Sequence, residues 1–385
     1  MLGVLYLVAL FCIQQNIVLV DSISINTNMH QPLSSPKAVA KQVWTGSDSY
    51  SINNITKTED SKARSQDESC PAEEDIAPCV CSIIEDNIMN MVCSDVATED
   101  ELREIFTSYF PNPHFDMFTT YDCPLKVLES GVFGEVTFKH ISMGYGALTE
   151  VESGALDGMY DTLEELRLDD NHIESFPFEI IESFTKLQIF SIDNNWEHMT
   201  VFPIIKSASI NTLYLANGKF DVVPIDAFQG LPMIEELYIY SDKIPSIESG
   251  TFGNLTQLRM LDLKWNLLTH LHKGIFHFSD DLDIITYIAL SGNQIETIEA
   301  NAFDAVAGVS IQLFGNNLAT LDEEVWESLF DVGIDLDVSN NPLICGCDIA
   351  WVVRNPDYMA QIWKDATCSD GVYLHDLDPA MFVDC

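Results

Sequence analysis

The chain has 385 residues and a formal net charge of −42, with 60 acidic side chains against 18 basic ones. A surface this acidic repels phosphates, which argues against nucleic acid and anionic membranes as partners. A basic partner or calcium fits the charge, and the simplest role for it is to keep an extracellular protein dissolved.

Leu2–Phe11 is an apolar run of secretory-signal length, ended by the polar break Gln14, Gln15 and Asn16. It is too short to span a bilayer, so residues 1–22 are expected to be a signal peptide cleaved near Ser22, although nothing basic follows the amino terminus. Residues 23–69 are rich in Ser, Asn, Thr and Lys and read as a disordered leader. No later apolar run approaches spanning length and no hydrophobic tail precedes Cys385, so neither a membrane span nor a lipid-anchor signal is expected. Beyond the leader, 54 acidic residues stand against 13 basic ones.

Residues 70–114 carry the set Cys70, Cys79, Cys81 and Cys93. From Phe115 to Leu336 one pattern recurs about nine times: apolar, two residues, apolar, one residue, apolar, two residues, usually Asn. Leu163-x-x-Leu166-x-Leu168-x-x-Asn171 and Leu258-x-x-Leu261-x-Leu263-x-x-Asn266 show it. The Asn-type position falls at Cys123, Gly146, Asn171, Asn195, Gly218, Asp242, Asn266, Asn293, Asn316 and Asn341, at intervals of 23 to 25 residues apart from one of 27. That outlier places an insertion around residues 279–283.

This period and spacing are those of the leucine-rich repeat. The expected fold is an α/β-type repeat solenoid, a leucine-rich repeat horseshoe with a parallel concave sheet. The Leu-x-Leu stretch is a strand whose leucines point inward, and the Asn amide satisfies backbone groups as the chain leaves it. A second apolar residue, Phe133, Phe228, Phe252, Phe276, Phe303 or Trp326, fills the outer half of the core. The repeat at 187–209 is the weakest, with Trp196 at an aliphatic position and no clear outer Phe. Stability must come from stacking, because no single repeat buries its own apolar face.

Residues 333–385 carry a second set, Cys345, Cys347, Cys368 and Cys385. A solenoid exposes core at both ends, and two disulfides at each end would cap it in a secreted chain. Spacing alone leaves three connectivities open in each set. A zinc site on the Cys-x-Cys pairs is the competing reading, disfavoured by the signal peptide and the terminal positions. The two sets resemble the flanking modules of extracellular leucine-rich repeat proteins, and that resemblance implies pairing of first with third and second with fourth. Of the two remaining cysteines, Cys12 lies in the signal and Cys123 on the Asn-type position, where a buried reduced thiol is expected rather than an intermolecular bond.

The sequence contains no phosphate-binding glycine loop, dinucleotide fingerprint, His-Glu-x-x-His or Gly-x-Ser-x-Gly. No catalytic residue, cofactor or metal site is therefore expected. The nearest metal-type group is His270, His272 and His277, which would need an added ligand to hold an ion, so exposed loop histidines are the expectation. The outward residues of the strands carry a localised aromatic set, Tyr214, Tyr238, Tyr240, Trp265 and Tyr287, with Tyr121, Tyr145 and Phe314 nearer the ends. Exposed Tyr and Trp are enriched at interface hot spots, which makes this set the candidate protein-binding site; stacking along the sheet would account for it equally well. Arg167, Arg259 and Lys264 lie among these residues, facing either a ligand or neighbouring carboxylates. Asn54 and Asn254 head glycosylation sequons, the second on the outer side of its repeat.

Three stretches carry a narrower resemblance: Cys70-Pro-Ala-Glu-Glu-Asp-Ile-Ala-Pro-Cys-Val-Cys81, Leu125-Lys-Val-Leu-Glu-Ser-Gly-Val-Phe-Gly134 and Asn341-Pro-Leu-Ile-Cys-Gly-Cys-Asp-Ile-Ala-Trp351. From Cys70 to Cys385 the chain resembles a group of secreted arthropod leucine-rich repeat proteins that includes the non-catalytic subunit of a shrimp luciferin 2-monooxygenase. The resemblance implies a secreted binding subunit or scaffold that accompanies a separate small catalytic subunit. The alternative is a soluble receptor ligand, decoy or adhesion protein.

Overall fold

Alternating burial sets the strands. In Glu165–Arg167 the central Leu166 is fully buried while its neighbours are half exposed, and the same pattern holds in Thr212–Tyr214 and Glu236–Tyr238. In the computed structural model, which describes residues 69–84, 87–195, 199–278, 285–303 and 307–385, these strands join one sheet. The expected signal peptide and leader, Asn54, Trp196 and the insertion at 279–283 lie outside the described residues. All that follows concerns the unit Arg64–Cys385.

The sheet has 12 strands laid down in chain order. The first two, Val80–Ile84 and Ile88–Val92, form an antiparallel hairpin, and every later pairing is parallel. Register lines up one inward row, Met91, Phe118, Ile141, Leu166, Phe190, Leu213, Leu237, Leu261, Ile288, Ile311 and Leu336, each no more than 2% exposed. This is the expected parallel solenoid. Its outer side is built mainly of turns, with a 3-10 helix at Phe178–Ser183 and an α-helix at Glu323–Val332.

The outer half of the core has its own row, ten residues past each Asn-type position. Phe228, Phe252, Phe276, Phe303 and Trp326 follow one another with ring centroids 5.7, 6.2, 4.9 and 5.9 Å apart. Phe133 holds the place at the start and packs edge-on against Phe106 and Phe118, at 5.0 and 5.2 Å. In the weak repeat the position falls to Ile205, and Phe202 turns in beside it to meet Phe220 at 5.1 Å. Truncating a buried ring of this kind typically costs about 3–5 kcal/mol.

Where the Asn-type position carries Asn, its side chain holds the turn leaving the strand. Asn195 Nδ2 donates to Leu168 O and Ile192 O, both at 3.0 Å, and its Oδ1 accepts from Ile173 N at 2.9 Å. Asn171, Asn266, Asn293, Asn316 and Asn341 repeat this scheme, each binding its own strand to the preceding repeat. Cys123 takes the same position with Sγ 3.3 Å from Val96 O; it is a free thiol, buried as expected, and burial raises its pKa. Asp242 is the exception in chemistry. It is 5% exposed and neither carboxylate oxygen has a close hydrogen-bond partner. Burial pushes it up to about 8, only partly offset by the backbone amides of Gly218 and Phe220.

Both ends are closed by disulfides, Cys70–Cys81 with Cys79–Cys93 and Cys345–Cys368 with Cys347–Cys385, the pairing implied by the resemblance. At the far end Trp351 Nε1 donates to Leu321 O at 2.9 Å, seating Ala350, Val352 and Val353 on the last repeats.

Two outcomes test this arrangement. Asp242 holds its proton far longer folded than unfolded, so its contribution to stability is full below pH 3.8 and is lost as pH rises through about 8. Asp242→Asn supplies the amide that its position calls for, so the melting temperature should rise, and more at pH 8.5 than at pH 5; an equal shift at both would mean the carboxyl is not protonated in the fold. Cys123 should resist thiol reagents in the native chain and react once it is denatured; rapid native labelling would show the thiol to be accessible.

Candidate functional site

The open face of the sheet is where outward side chains from consecutive repeats come together. Strand register makes Tyr214 and Tyr238 direct neighbours, and their rings stack at 4.2 Å with an 8° interplanar angle. Arg167 lies over the Tyr214 ring at 5.3 Å, on the far side of that pair along the sheet. Tyr238 Oη donates to Glu236 Oε2 at 2.9 Å and lies 3.2 Å from Met260 Sδ. Two residues past the strand end, Tyr240 Oη donates to Asp193 Oδ2 at 2.7 Å, spanning two repeats, while Lys264 sits over its ring at 5.9 Å.

The structure brings the five predicted residues together only in part. Tyr214, Tyr238 and Tyr240 form one half-buried group. Tyr287 begins its strand beside Met260, on the opposite margin of the sheet from Tyr240. Trp265 is not on a strand at all. It is one of a row of left-handed residues, Asp122, Tyr145, Asp170, Asn194, Asn217, Ser241, Trp265, Gly292, Gly315 and Asn340, each immediately before an Asn-type position and with φ between 53° and 71°. There it is 57% exposed, and its ring lies across Gly292, where an added Cβ would stand 2.3 Å from Cε3. The three basic residues all meet carboxylates: Arg167 with Glu165, Arg259 with Glu235 at 3.3 Å, and Lys264 with Asp262 at 2.9 Å.

Sequence reasoning placed no carboxylate beside the tyrosines. Asp169 Oδ1 accepts from Ser191 Oγ at 2.5 Å and from Asp193 N at 3.0 Å, and Asp193 Oδ1 accepts from Asn217 Nδ2 at 2.8 Å. Burial, with the Asp193 charge adding to it, raises Asp169 to about 6; burial also raises Asp193. Both stand two residues before an Asn-type position, so the repeat register would have found them. Asn254 is exposed, in the turn after Phe252 and so on the outer side. Among the described residues no helix is long and apolar enough to cross a membrane.

Known proteins match this architecture. The family described as leucine rich repeat matches residues 208–268, and the BspA type leucine rich repeat region, in 6 copies, matches residues 103–235. The Oplophorus-luciferin 2-monooxygenase non-catalytic subunit of Oplophorus gracilirostris is 33% identical over 315 residues, 81% of this chain and 87% of that protein. The chain belongs to that leucine-rich repeat family. Leucine-rich repeat transmembrane protein FLRT2 of Rattus norvegicus is 28% identical over 50% of the chain, which spans only 29% of that relative's length. A solved octameric complex of latrophilin 3, Unc5D and FLRT2 contains a chain of the same fold, with TM-score 0.61 and 20% identity over 77% of this chain and 90% of that one.

The acidic pair makes a prediction for this family member. Asp169 should titrate near pH 6 in the folded chain, and Asp193→Asn, which removes a neighbouring negative charge, should bring that midpoint down. Because the folded value lies above the ordinary 3.8, Asp169 weakens the fold as pH rises from about 4 through about 6. Carboxyl carbon NMR of the wild type and the variant checks both; an unchanged midpoint would mean the two carboxylates do not interact.

Proposed function

We propose that this chain is a secreted, non-enzymatic scaffold that binds a protein partner through the open face of its sheet, as the accompanying subunit of a small separate enzyme of the luciferase-like monooxygenase kind. The observation that carries the binding site is the Tyr214–Tyr238 stack flanked by Asp169, Asp193 and Tyr240. Rings already held by stacking and hydrogen bonds lose little side-chain freedom on binding, and aromatic residues of this kind dominate interface energetics. The surrounding carboxylates outnumber the basic residues, which are each paired, so a partner presenting basic and aromatic side chains suits the face best.

The family supports the accompanying role, since its named member is the non-catalytic subunit of a monooxygenase. The apolar run Leu2–Phe11 and four disulfides, which persist in oxidising compartments, support secretion. A glycan on Asn254 would sit on the outer side and leave the open face free. The partial likeness to FLRT2, a leucine-rich repeat transmembrane protein, supports the second reading, a soluble receptor ligand, decoy or adhesion protein.

Co-purification from native secretions with the full chain as bait separates these. A constant small enzymatic partner supports the subunit reading, and a cell-surface receptor supports the other. With that partner in hand, the double variant Tyr238→Ala, Trp265→Ala should lose at least about 2 kcal/mol of binding while keeping its circular dichroism spectrum. Asn254→Gln should bind normally. Normal binding by the double variant and weakened binding by Asn254→Gln would move the interface to the outer surface and end the open-face reading.

A further inference from the structure

The flank of the solenoid carries a second convergence of side chains, unrelated to the open face. After leaving its strand, the repeat containing Asn266 runs into the short strand His270–Leu271, which pairs in parallel with Thr297–Ile298 of the next repeat. Leu271 is fully buried, so alternation sends His270 and His272 to the same outward side. Register sets His270 against Thr297, and two residues further along both chains His272 stands level with Glu299.

The donor atoms meet. His270 Nε2 lies 3.1 Å from Glu299 Oε1, and His272 Nδ1 lies 3.8 Å from that same oxygen. One ligand atom from each of the three residues falls within 4.8 Å of the other two. The two imidazoles are 4.3 Å apart and inclined at 67°, so they converge as donors and do not stack face to face. Each group is also held from behind. His270 Nδ1 is hydrogen-bonded to Thr297 Oγ1, leaving Nε2 as the outward nitrogen, and Glu299 Oε2 accepts from Lys273 N at 2.7 Å, leaving Oε1 as the outward oxygen.

We propose that His270, His272 and Glu299 form a binding site for a divalent transition metal ion of the zinc class. Two imidazoles and one carboxylate are a donor set suited to zinc, copper(II) and nickel, and far less to calcium, which takes oxygen donors. The hydrogen bond from His270 to Thr297 is the outer support that fixes the tautomer of a metal-bound histidine. On binding, the ion would replace the direct contact between His270 Nε2 and Glu299 Oε1, with the ring proton of His270 on Nδ1 toward Thr297 Oγ1, and would draw His272 in. Three protein donors leave at least one coordination position open. Sequence spacing supplied the histidine pair, and the added ligand it lacked is Glu299, 27 residues from His272 and set beside it by the length of the inserted repeat. His277 is not one of the three.

The test uses the untagged, full secreted chain, stripped with EDTA and dialysed, titrated with zinc chloride by calorimetry. One saturable site is expected in the micromolar range, unaffected by an excess of calcium, which would occupy surface carboxylates instead. His272→Ala and Glu299→Gln should each weaken it at least about tenfold, with melting curves unchanged. In the wild type, zinc should also protect His270 and His272 from diethylpyrocarbonate, a readout that needs no variant to fold. No saturable site below millimolar zinc, a site equally strong in both variants, or one abolished by calcium would overturn the proposal.

Discussion

Everything in this chain depends on the hydrogen bonds that bind each turn to the repeat before it. A three-residue strand cannot bury a core alone, and the turn that follows it would leave backbone groups unpaired inside the stack. The Asn amide settles both needs, because it donates to carbonyls of two repeats and accepts from an amide of the earlier one. A buried amide without partners costs on the order of a few kcal/mol, so each rung is stable only with its neighbour present. Cooperativity along the stack follows from that requirement, and the disulfide-closed ends follow from the first and last repeats having one neighbour each.

The departures from Asn show how narrow the requirement is. Cys123 still offers a weak donor to a carbonyl. Gly146 and Gly218 offer nothing, and the next rung closes over them: a Cβ added to either would stand 2.8 Å from the side-chain oxygen of Asn171 or Asp242. Asp242 has the right shape and the wrong donors, so only its protonated form resembles the amide it replaces. The weakest chemistry of the ladder, Gly218 followed by Asp242, therefore underlies the strands that carry Tyr214 and Tyr238. The face proposed to bind a partner sits above the least firmly bonded part of the stack.

The periodic features were legible in the sequence because each repeat restates them. The inward row, the outer ring row and the thiol at Cys123 came from register alone, and the terminal disulfides from cysteine position together with the likeness to flanking modules. What periodicity does not encode is contact between different rows. The link from Tyr240 to Asp193 joins residues 47 apart in two different repeats, and nothing in either repeat signals it. Trp265 was placed on the strand face because its neighbours alternate, yet the left-handed residue before each Asn-type position breaks that alternation. Gly292 and Gly315 hold this place without side chains, and that hint was available in the sequence.

The left-handed row also decides what each margin of the sheet can do. A residue there must tolerate positive φ, which favours Gly, Asn and Asp and is unfavourable for a bulky ring. Eight of the ten places are held by residues other than glycine, and two of those, Tyr145 and Trp265, are large aromatics at 62% and 57% exposure. Trp265 gains contact from the bare backbone of Gly292, so its ring is held in position although most of it faces solvent. A left-handed tryptophan is retained against its backbone cost of about 1–3 kcal/mol only where the surrounding structure over-determines it. On this chain the over-determination comes from Asn266 and from the next rung, Asn293, whose amides both bond to Leu263 O and hold the turn while leaving the ring outside the core.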